Sequence, residues 1–450
     1  MKKLISVFVI MALLSIFIMG CGNSGGSTTT TVAATTTAAA TTTAAASETA
    51  NQSAADGKQK VTVWTWYSEQ LGPSVGEAFV KLFPQYEVDA VNIPSAELEQ
   101  KLITGITAGT GVPDTNSLQG DSMQRFIQFG GLMDLTDKVK PIQNDYPIYK
   151  IANDTGADGK IYGLPIDSGP CALFYQKDLA EECGIDPAID FATYESWLAS
   201  GVKYNANGYA LHRMTELGDS GFTFMLVQQQ NQSVFDADGN AQINTPEFIN
   251  AVTLVKDLFD SGYAGDWSSW TPQYNDAVVG KQVGTIIDAA WYMNVFIHSF
   301  QDAENWAIIP MPTFPGSSSK TSNAGGSEMV IPAAAENPEG GWEFIKFYCA
   351  NIEGRQIGMD ALGEFPAYLP LYEEQNVQNK TMKFFGDQKV FAFFATLLPN
   401  VPEWRSPAPL IAVRDMIGAE YPKVMTGEMN PKEFAAHCQS MAETIVKDFE

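Results

Sequence analysis

Between Gly22 and Gly57 the chain is almost entirely Thr, Ala, Ser and Gly, with no aromatic residue. Such a segment cannot bury enough apolar surface to offset the entropy of ordering it, so it predicts a flexible tether. The folded body is therefore confined to the residues from Lys58 onward. A tether of about 36 residues has a root-mean-square reach of roughly 30–35 Å. The segment before it has the opposite character. Met1-Lys2-Lys3 is positive, and Leu4 to Met19 is almost wholly apolar. That is the build of a secretory signal peptide. The run of about 16 apolar residues is shorter than the roughly 20 that a membrane span needs.

The run ends in Ile18-Met19-Gly20-Cys21. This tetrapeptide resembles the bacterial lipobox, in which the cysteine sulfur receives a diacylglyceryl group and the cysteine becomes the new N-terminus. Met19 departs from the usual small or branched residue. The expectation is a signal peptide over 1–20, lipidation at Cys21, and a lipid-anchored tether over 21–57. The protein would then sit on the extracellular face of the cell membrane, where two or more acyl chains hold it stably. An ordinary signal peptide with a chance cysteine and a retained signal anchor are the alternatives.

A chain of 450 residues suggests two or three domains. Its net charge is −25, and the lysines and acids of the first 57 residues cancel, so the body carries all of it. Such an acidic body disfavours nucleic acid and anionic membrane surfaces as partners. Besides Cys21 there are Cys171, Cys183, Cys349 and Cys438, with no zinc spacing such as C-x-x-C. Cys171 and Cys183 are near enough in sequence to pair in an oxidising compartment. The alternative is four buried thiols acting as small hydrophobes.

From Lys60 the texture changes. Val61 to Trp66 reads as a strand of β-branched and aromatic residues. Ser74 to Phe83 has helical spacing and stops at Pro84. Tyr86 to Ile93 reads as a second strand, and Ser95 as the cap of a helix carrying Leu98, Leu102, Ile103 and Ile106 on one face. Helices are also predicted over 121–129, 191–200, 246–261, 338–349 and 431–449, and strands over 172–175 and 284–287. This alternation argues for α/β layers with parallel sheets.

Several phrases, taken in order, resemble the extracellular solute-binding proteins of ABC importers, in the maltose-binding-protein-like group. They are Val61–Tyr67; Ile106-Thr107-Ala108-Gly109 with Val112-Pro113-Asp114; Gly130–Thr136; Asp158–Pro165; Leu173–Leu179 with Gly184-Ile185; Ile309–Gly316; and Trp342–Phe347. The match covers about Lys58 to Glu450. The resemblance implies an α/β, two-lobed periplasmic-binding-protein-like fold with a hinge and an interlobe ligand cleft. Lobe I would be 58–165 plus 322–368, and lobe II 169–320 plus 369–450. It further implies a monomer that captures a carbohydrate by lobe closure and delivers it to the transmembrane subunits of a permease. No cofactor, metal or nucleic acid is implied.

A sugar ring has apolar C–H faces and a rim of hydroxyls. It calls for aromatic platforms and for carboxylate, amide or guanidinium groups, since unpaired buried hydroxyls are costly. Trp66, Tyr67, Ser68 and Glu69 leave the first strand where open α/β sheets bind ligands. The resemblance places a ligand aspartate at Asp121, a hinge acid at Asp167, another acid at Asp219 and a stacking tryptophan at Trp291. Gly325 and Glu328 lie where the chain recrosses the hinge, and Trp404 and Arg414 in a late cleft-edge region. Each has a plainer reading. Trp66 and Trp291 can be core aromatics, Asp121 a helix cap, Asp167 and Asp219 turn residues, and the Gly325-Gly326 pair a turn. Two departures, Ser68-Glu69 and Leu118, weigh against a maltodextrin as ligand.

Two enzyme-like motifs have structural explanations. Gly72-Pro73-Ser74-Val75-Gly76 fits G-x-S-x-G, but Pro73 reads as a helix start. Asp236–Asn240 is calcium-like but has its glycine at the fourth position rather than the sixth, so a hairpin turn is expected. A glycoside hydrolase using paired carboxylates and a receptor for a polyamine or other cation remain the rival readings.

Overall fold

The computed structural model describes residues 57–214, 220–269 and 271–449. Cys21, the tether and Asp219 lie outside the described residues. Val61 and Val63 alternate with half-buried Thr62 and Trp64 in strand β1 (Gln59–Thr65), the alternation that a pleated strand imposes. β1 pairs in parallel with β2 (Tyr86–Asn92) and β3 (Thr115–Gln119). Two shorter strands, β4 (Gly163–Pro165) and β10 (Ser327–Val330), complete a five-stranded sheet of order β2-β1-β3-β10-β4.

The second sheet contains β5 (Cys171–Gln176), β6 (Ala210–Met214), β7 (Ala264–Asp266), β8 (Val283–Ala289) and β9 (Trp306–Ile309), in the order β7-β6-β8-β5-β9. β5 and β8 are buried along nearly their whole length because helices cover both faces of this sheet. Leu173, Leu211 and Ile287 pack with Trp197, Tyr421 and Phe434 on one face. Phe174, Ile286 and Ile308 pack with Phe296, Phe385 and Phe394 on the other. The first sheet buries Val61 and Val63 against Phe79, Phe344 and Tyr348, and Leu118 and Val330 against Leu102 and Phe126.

The sheets are mixed rather than parallel. β10 runs antiparallel to β3 and β4, and β5 runs antiparallel to β8 and β9. These are the strands the chain enters directly on leaving a crossing between sheets. They begin at the edge where their neighbours end, so they must run the other way. A helix–strand alternation does not disclose this.

Three crossings lie side by side as a ribbon. In the centre, Cys171 N–H donates to Ser322 O (3.0 Å) and Ala324 N–H to Gly169 O (2.9 Å). On the other side Ser168 N–H donates to Phe365 O (2.9 Å) and Ala367 N–H to Ile166 O (3.0 Å). A Cβ on Gly169 would lie 2.0 Å from Ala324 O, so only glycine permits this approach. Buried backbone that belongs to neither sheet thus finds its hydrogen bonds within the ribbon.

Other local expectations also change. The helix preceding Pro84 begins at Ser68, not at Ser74, and Pro73 lies inside it. A widened turn over Gly72–Gly76 accommodates the ring and the missing N–H of Pro73. Ser74 Oγ donates to Gln70 O (2.5 Å), so Ser74 is tied to the helix. Ser95 is the first residue of its helix and makes no capping bond. Asp236 accepts from the N–H groups of Asp238 and Asn240 (both 2.9 Å), forming the expected turn.

No helix among the described residues is long and apolar enough to cross a membrane. Cys171, Cys183, Cys349 and Cys438 are buried free thiols, so the Cys171–Cys183 pairing does not form. Reductant should therefore leave the melting temperature unchanged. Alkylation mapped by mass spectrometry should modify Cys171, Cys349 and Cys438 only after unfolding; a linked Cys171–Cys183 peptide would contradict the fold.

Candidate ligand cleft

The carboxyl ends of β1, β3, β4 and β8 and the starts of β5 and β10 all face the crossing ribbon. There the chain forms a cleft of about 530 Å³, within the range of small-molecule sites. Trp66, Tyr67, Gln70 and Gln119 line it from the first sheet's side. Trp291, Asn294 and His298 line it from the second, and Asp167, Gly325, Gly326, Ser327 and Glu364 come from the crossings.

Trp66 and Tyr67 meet edge to face, with ring centroids 5.6 Å apart at 87°. The Tyr67 hydroxyl lies 3.1 Å from Ser117 Oγ, which donates to Thr65 Oγ1 (3.0 Å). Burial pushes the Tyr67 phenol well above its ordinary range, so it stays neutral. On the facing wall the Trp291 indole N–H donates to Ala324 O (2.9 Å), which fixes a half-buried ring to the ribbon.

Trp291 also borders a smaller chamber of about 200 Å³ with His212, Arg213, Phe222, Ser269 and Asp288. There Arg213 Nη2 contacts Asp288 Oδ2 at 2.8 Å. Burial, with Arg213 beside it, holds His212 at about 3, so the imidazole is neutral. Its Nδ1 lies 3.0 Å from Thr285 O.

Each acid of the main cleft has a buried cation behind it. Glu364 Oε2 accepts from Arg355 Nη2 (2.5 Å) and Oε1 from the Tyr348 hydroxyl. Asp167 Oδ1 accepts from Ser327 N–H (2.7 Å), and the Lys150 ammonium stands near. Burial raises both carboxyls above their ordinary values, against the pull of Arg355 on Glu364 and Lys150 on Asp167. The floor needs glycine: Gly326 has φ +98°, and a Cβ there would lie 2.7 Å from Lys150 Nζ.

Of the expected ligand residues, Trp66, Tyr67, Asp167, Trp291 and Gly325 line this cleft. Ser68 is buried and Glu69 exposed on the first helical turn, which carries Gln70 to the cleft in their place. Asp121 makes no helix cap; its Oδ2 pairs with Arg414 Nη1 at 2.8 Å, a contact that joins the turn after β3 to helix Leu410–Met425. Glu328 points away from the cleft because Ser327 takes the alternate face of β10. Trp404 packs on Phe224 with centroids 5.5 Å apart.

Gln70, Gln119, Asn294, His298 and Glu364 were not foreseen. Asn294 and His298 follow Trp291 by three and seven residues, a helical-face spacing visible in the sequence. Glu364 has a weaker signal, an acid set between apolar Leu362 and Phe365. Among the described residues no group of His, Cys, Asp and Glu is arranged to hold a metal ion.

Two α/β halves, a three-crossing ribbon and a cleft of aromatic and amide side chains define a hinged solute-binding fold. Residues 64–351 match the sequence model for bacterial extracellular solute-binding protein, and the chain belongs to that family. It is 23% identical over 409 residues to the arabinooligosaccharide-binding protein of Bacillus subtilis (strain 168), covering 88% of each chain. It is 25% identical over 343 residues to the maltooligosaccharide ABC transporter solute-binding lipoprotein of Streptococcus pneumoniae serotype 4, covering 71% of this chain and 76% of that one. Among solved structures it is similar to the ABC transporter associated binding protein from B. animalis subsp. lactis Bl-04 in complex with beta-1,6-galactobiose. That match has a TM-score of 0.76 at 20% identity and covers 87% of this chain and 98% of the other.

The Arg355–Glu364 pair gives a direct test of how the cleft is supported. Arg355→Gln should cost about 3–5 kcal/mol in urea unfolding, because it strands a buried carboxylate. Arg355→Gln combined with Glu364→Gln should cost clearly less than the first change alone.

Proposed function

We propose that the chain is the substrate-binding component of an ABC importer. It captures a neutral carbohydrate of at least two sugar units outside the cell and hands it to the membrane permease. The observation that carries this reading is the cleft itself. Trp66, Tyr67 and Trp291 offer apolar faces, while Gln70, Gln119, Asn294, Asp167 and Glu364 offer hydrogen-bonding groups for hydroxyls. The smaller chamber beyond Trp291 supports a ligand longer than one ring.

Charge separates the sugar reading from the cationic one. Asp167 and Glu364 face the cleft, but Lys150 and Arg355 stand behind them. Arg355 pairs with Glu364, and Lys150, shared with Glu328 and Asp154, offsets Asp167 in part, which favours hydrogen-bond acceptors over a trap for a polyamine. The family consists of binding proteins, which supports a receptor rather than a glycosidase.

The proposed lobes are 58–165 plus 322–368 and 169–320 plus 369–450, turning about the ribbon of three crossings. A ligand that touches both lobes favours the closed form by its extra contacts there. The Asp121–Arg414 pair would add a contact between lobes in that form. Both partners are about a third exposed, so the pair contributes no more than about 0.2–1 kcal/mol. Cys21 would carry the lipid, and the tether would keep a monomeric receptor at high local concentration beside its permease.

A thermal-shift screen with maltotriose, lactose, arabinotriose, putrescine and spermidine tests the ligand class, since a ligand that binds only the native state raises its melting point. A rise with an oligosaccharide and none with the amines is expected; the reverse would select the cation reading. With the stabilising sugar, Trp291→Ala should lose about 2 kcal/mol or more of binding energy by calorimetry.

A further inference from the structure

Beneath the cleft floor lies a charge cluster that ligand contact does not explain. Lys150, on helix Ile148–Asn153, is 3% exposed, and its Nζ lies 2.5 Å from Oε1 of fully buried Glu328 on β10. Asp154, which ends the same helix, is also fully buried, and neither of its carboxylate oxygens has a hydrogen-bond partner among the described residues. Asp167, the third acid, is 8% exposed. One ammonium thus serves three carboxyls. Buried carboxylates without a partner are among the least tolerated groups in a fold, so they bind a proton instead.

The cluster also holds the floor. Lys150 Nζ lies directly under Gly326, at 2.7 Å from where a Cβ would stand, and Asp167 Oδ1 holds Ser327 N–H. Asp167, Gly326 and Ser327 all line the cleft.

We propose that Asp154 and Glu328 are positioning residues that, in their protonated form and with Lys150, keep the floor of the cleft in its binding shape, and that the floor loosens as pH rises toward neutrality. This rests on the cleft being the ligand site, but the mechanism does not depend on which solute binds. The titratable groups facing Glu328 are Lys150 and Asp154, Asp167 of the first crossing, Asp121 of the turn after β3 and the Cys349 thiol. Arg355, Glu364, Tyr149 and Tyr372 face Asp167 from behind.

Burial, then Glu328, raises Asp154 well above the carboxylate range. Burial raises Glu328 from 4.5 to about 7, with Lys150 opposing. Burial alone would lower Lys150, but Glu328 and the two aspartates outweigh it, so Lys150 stays protonated. A carboxyl whose pKa is higher folded than unfolded loses stability as pH climbs between the two values. For Glu328 that interval runs from 4.5 to about 7.

The test is hydrogen–deuterium exchange of the full chain from about pH 5 to about pH 7, corrected for intrinsic rates, read in peptides over 163–170 and 322–328. Wild type should lose protection there by up to about tenfold per pH unit. Glu328→Gln should flatten that profile, because an amide cannot ionise. Asp154→Asn should do the same and serves if Glu328→Gln fails to fold. Parallel pH profiles in wild type and variants, whatever their absolute protection, would overturn the proposal. No sugar is added, so the result stands apart from the ligand screen.

Discussion

Two buried cations, Lys150 and Arg355, make the rest of this structure possible. Each sits behind the crossing ribbon and offsets a carboxyl that would otherwise be stranded: Glu328 at 2.5 Å from Lys150, and Glu364 at 2.5 Å from Arg355. Without them the acids near the crossings would repel one another in a region that water does not reach. With them the ribbon can pack backbone against backbone at Gly169 and Ala324, and the cleft above it takes its shape.

The same compensation governs the chemistry of the cleft. Asp167 and Glu364 line the cleft, with Lys150 and Arg355 behind them. The aromatic groups add flat apolar faces, and Trp291 is aimed by one hydrogen bond to Ala324 rather than left to find its own orientation. The cleft's polar groups come from both sheets and from the crossings, so a ligand that uses all of them links the two halves.

Much of the architecture was legible in the sequence, and the reasons are physical. Strong periodicity marked the strand at Val61 and the helices at 246–260 and 431–448, because amphipathic faces leave a local pattern. Trp66 and Trp291 could be placed at strand ends for the same reason. What local pattern cannot carry is partnership across the chain. Asp121 was legible as a ligand aspartate and Arg414 as a cleft-edge candidate, but their mutual contact joins positions far apart in sequence. Glu328 was placed at the right crossing and on the wrong face, since one residue of register along β10 decides between cleft and interior. The antiparallel entry of β5 and β10 was likewise hidden, because strand direction follows from the path of the crossings.

The central claim is that a solute bridging the two halves closes them about the ribbon. Small-angle X-ray scattering of the mature chain, with and without the oligosaccharide that most raises its melting point, measures this directly. The account predicts a smaller radius of gyration at saturating sugar, with wild-type compaction reduced in Trp291→Ala at the same sugar concentration. An unchanged radius of gyration under saturation would contradict it.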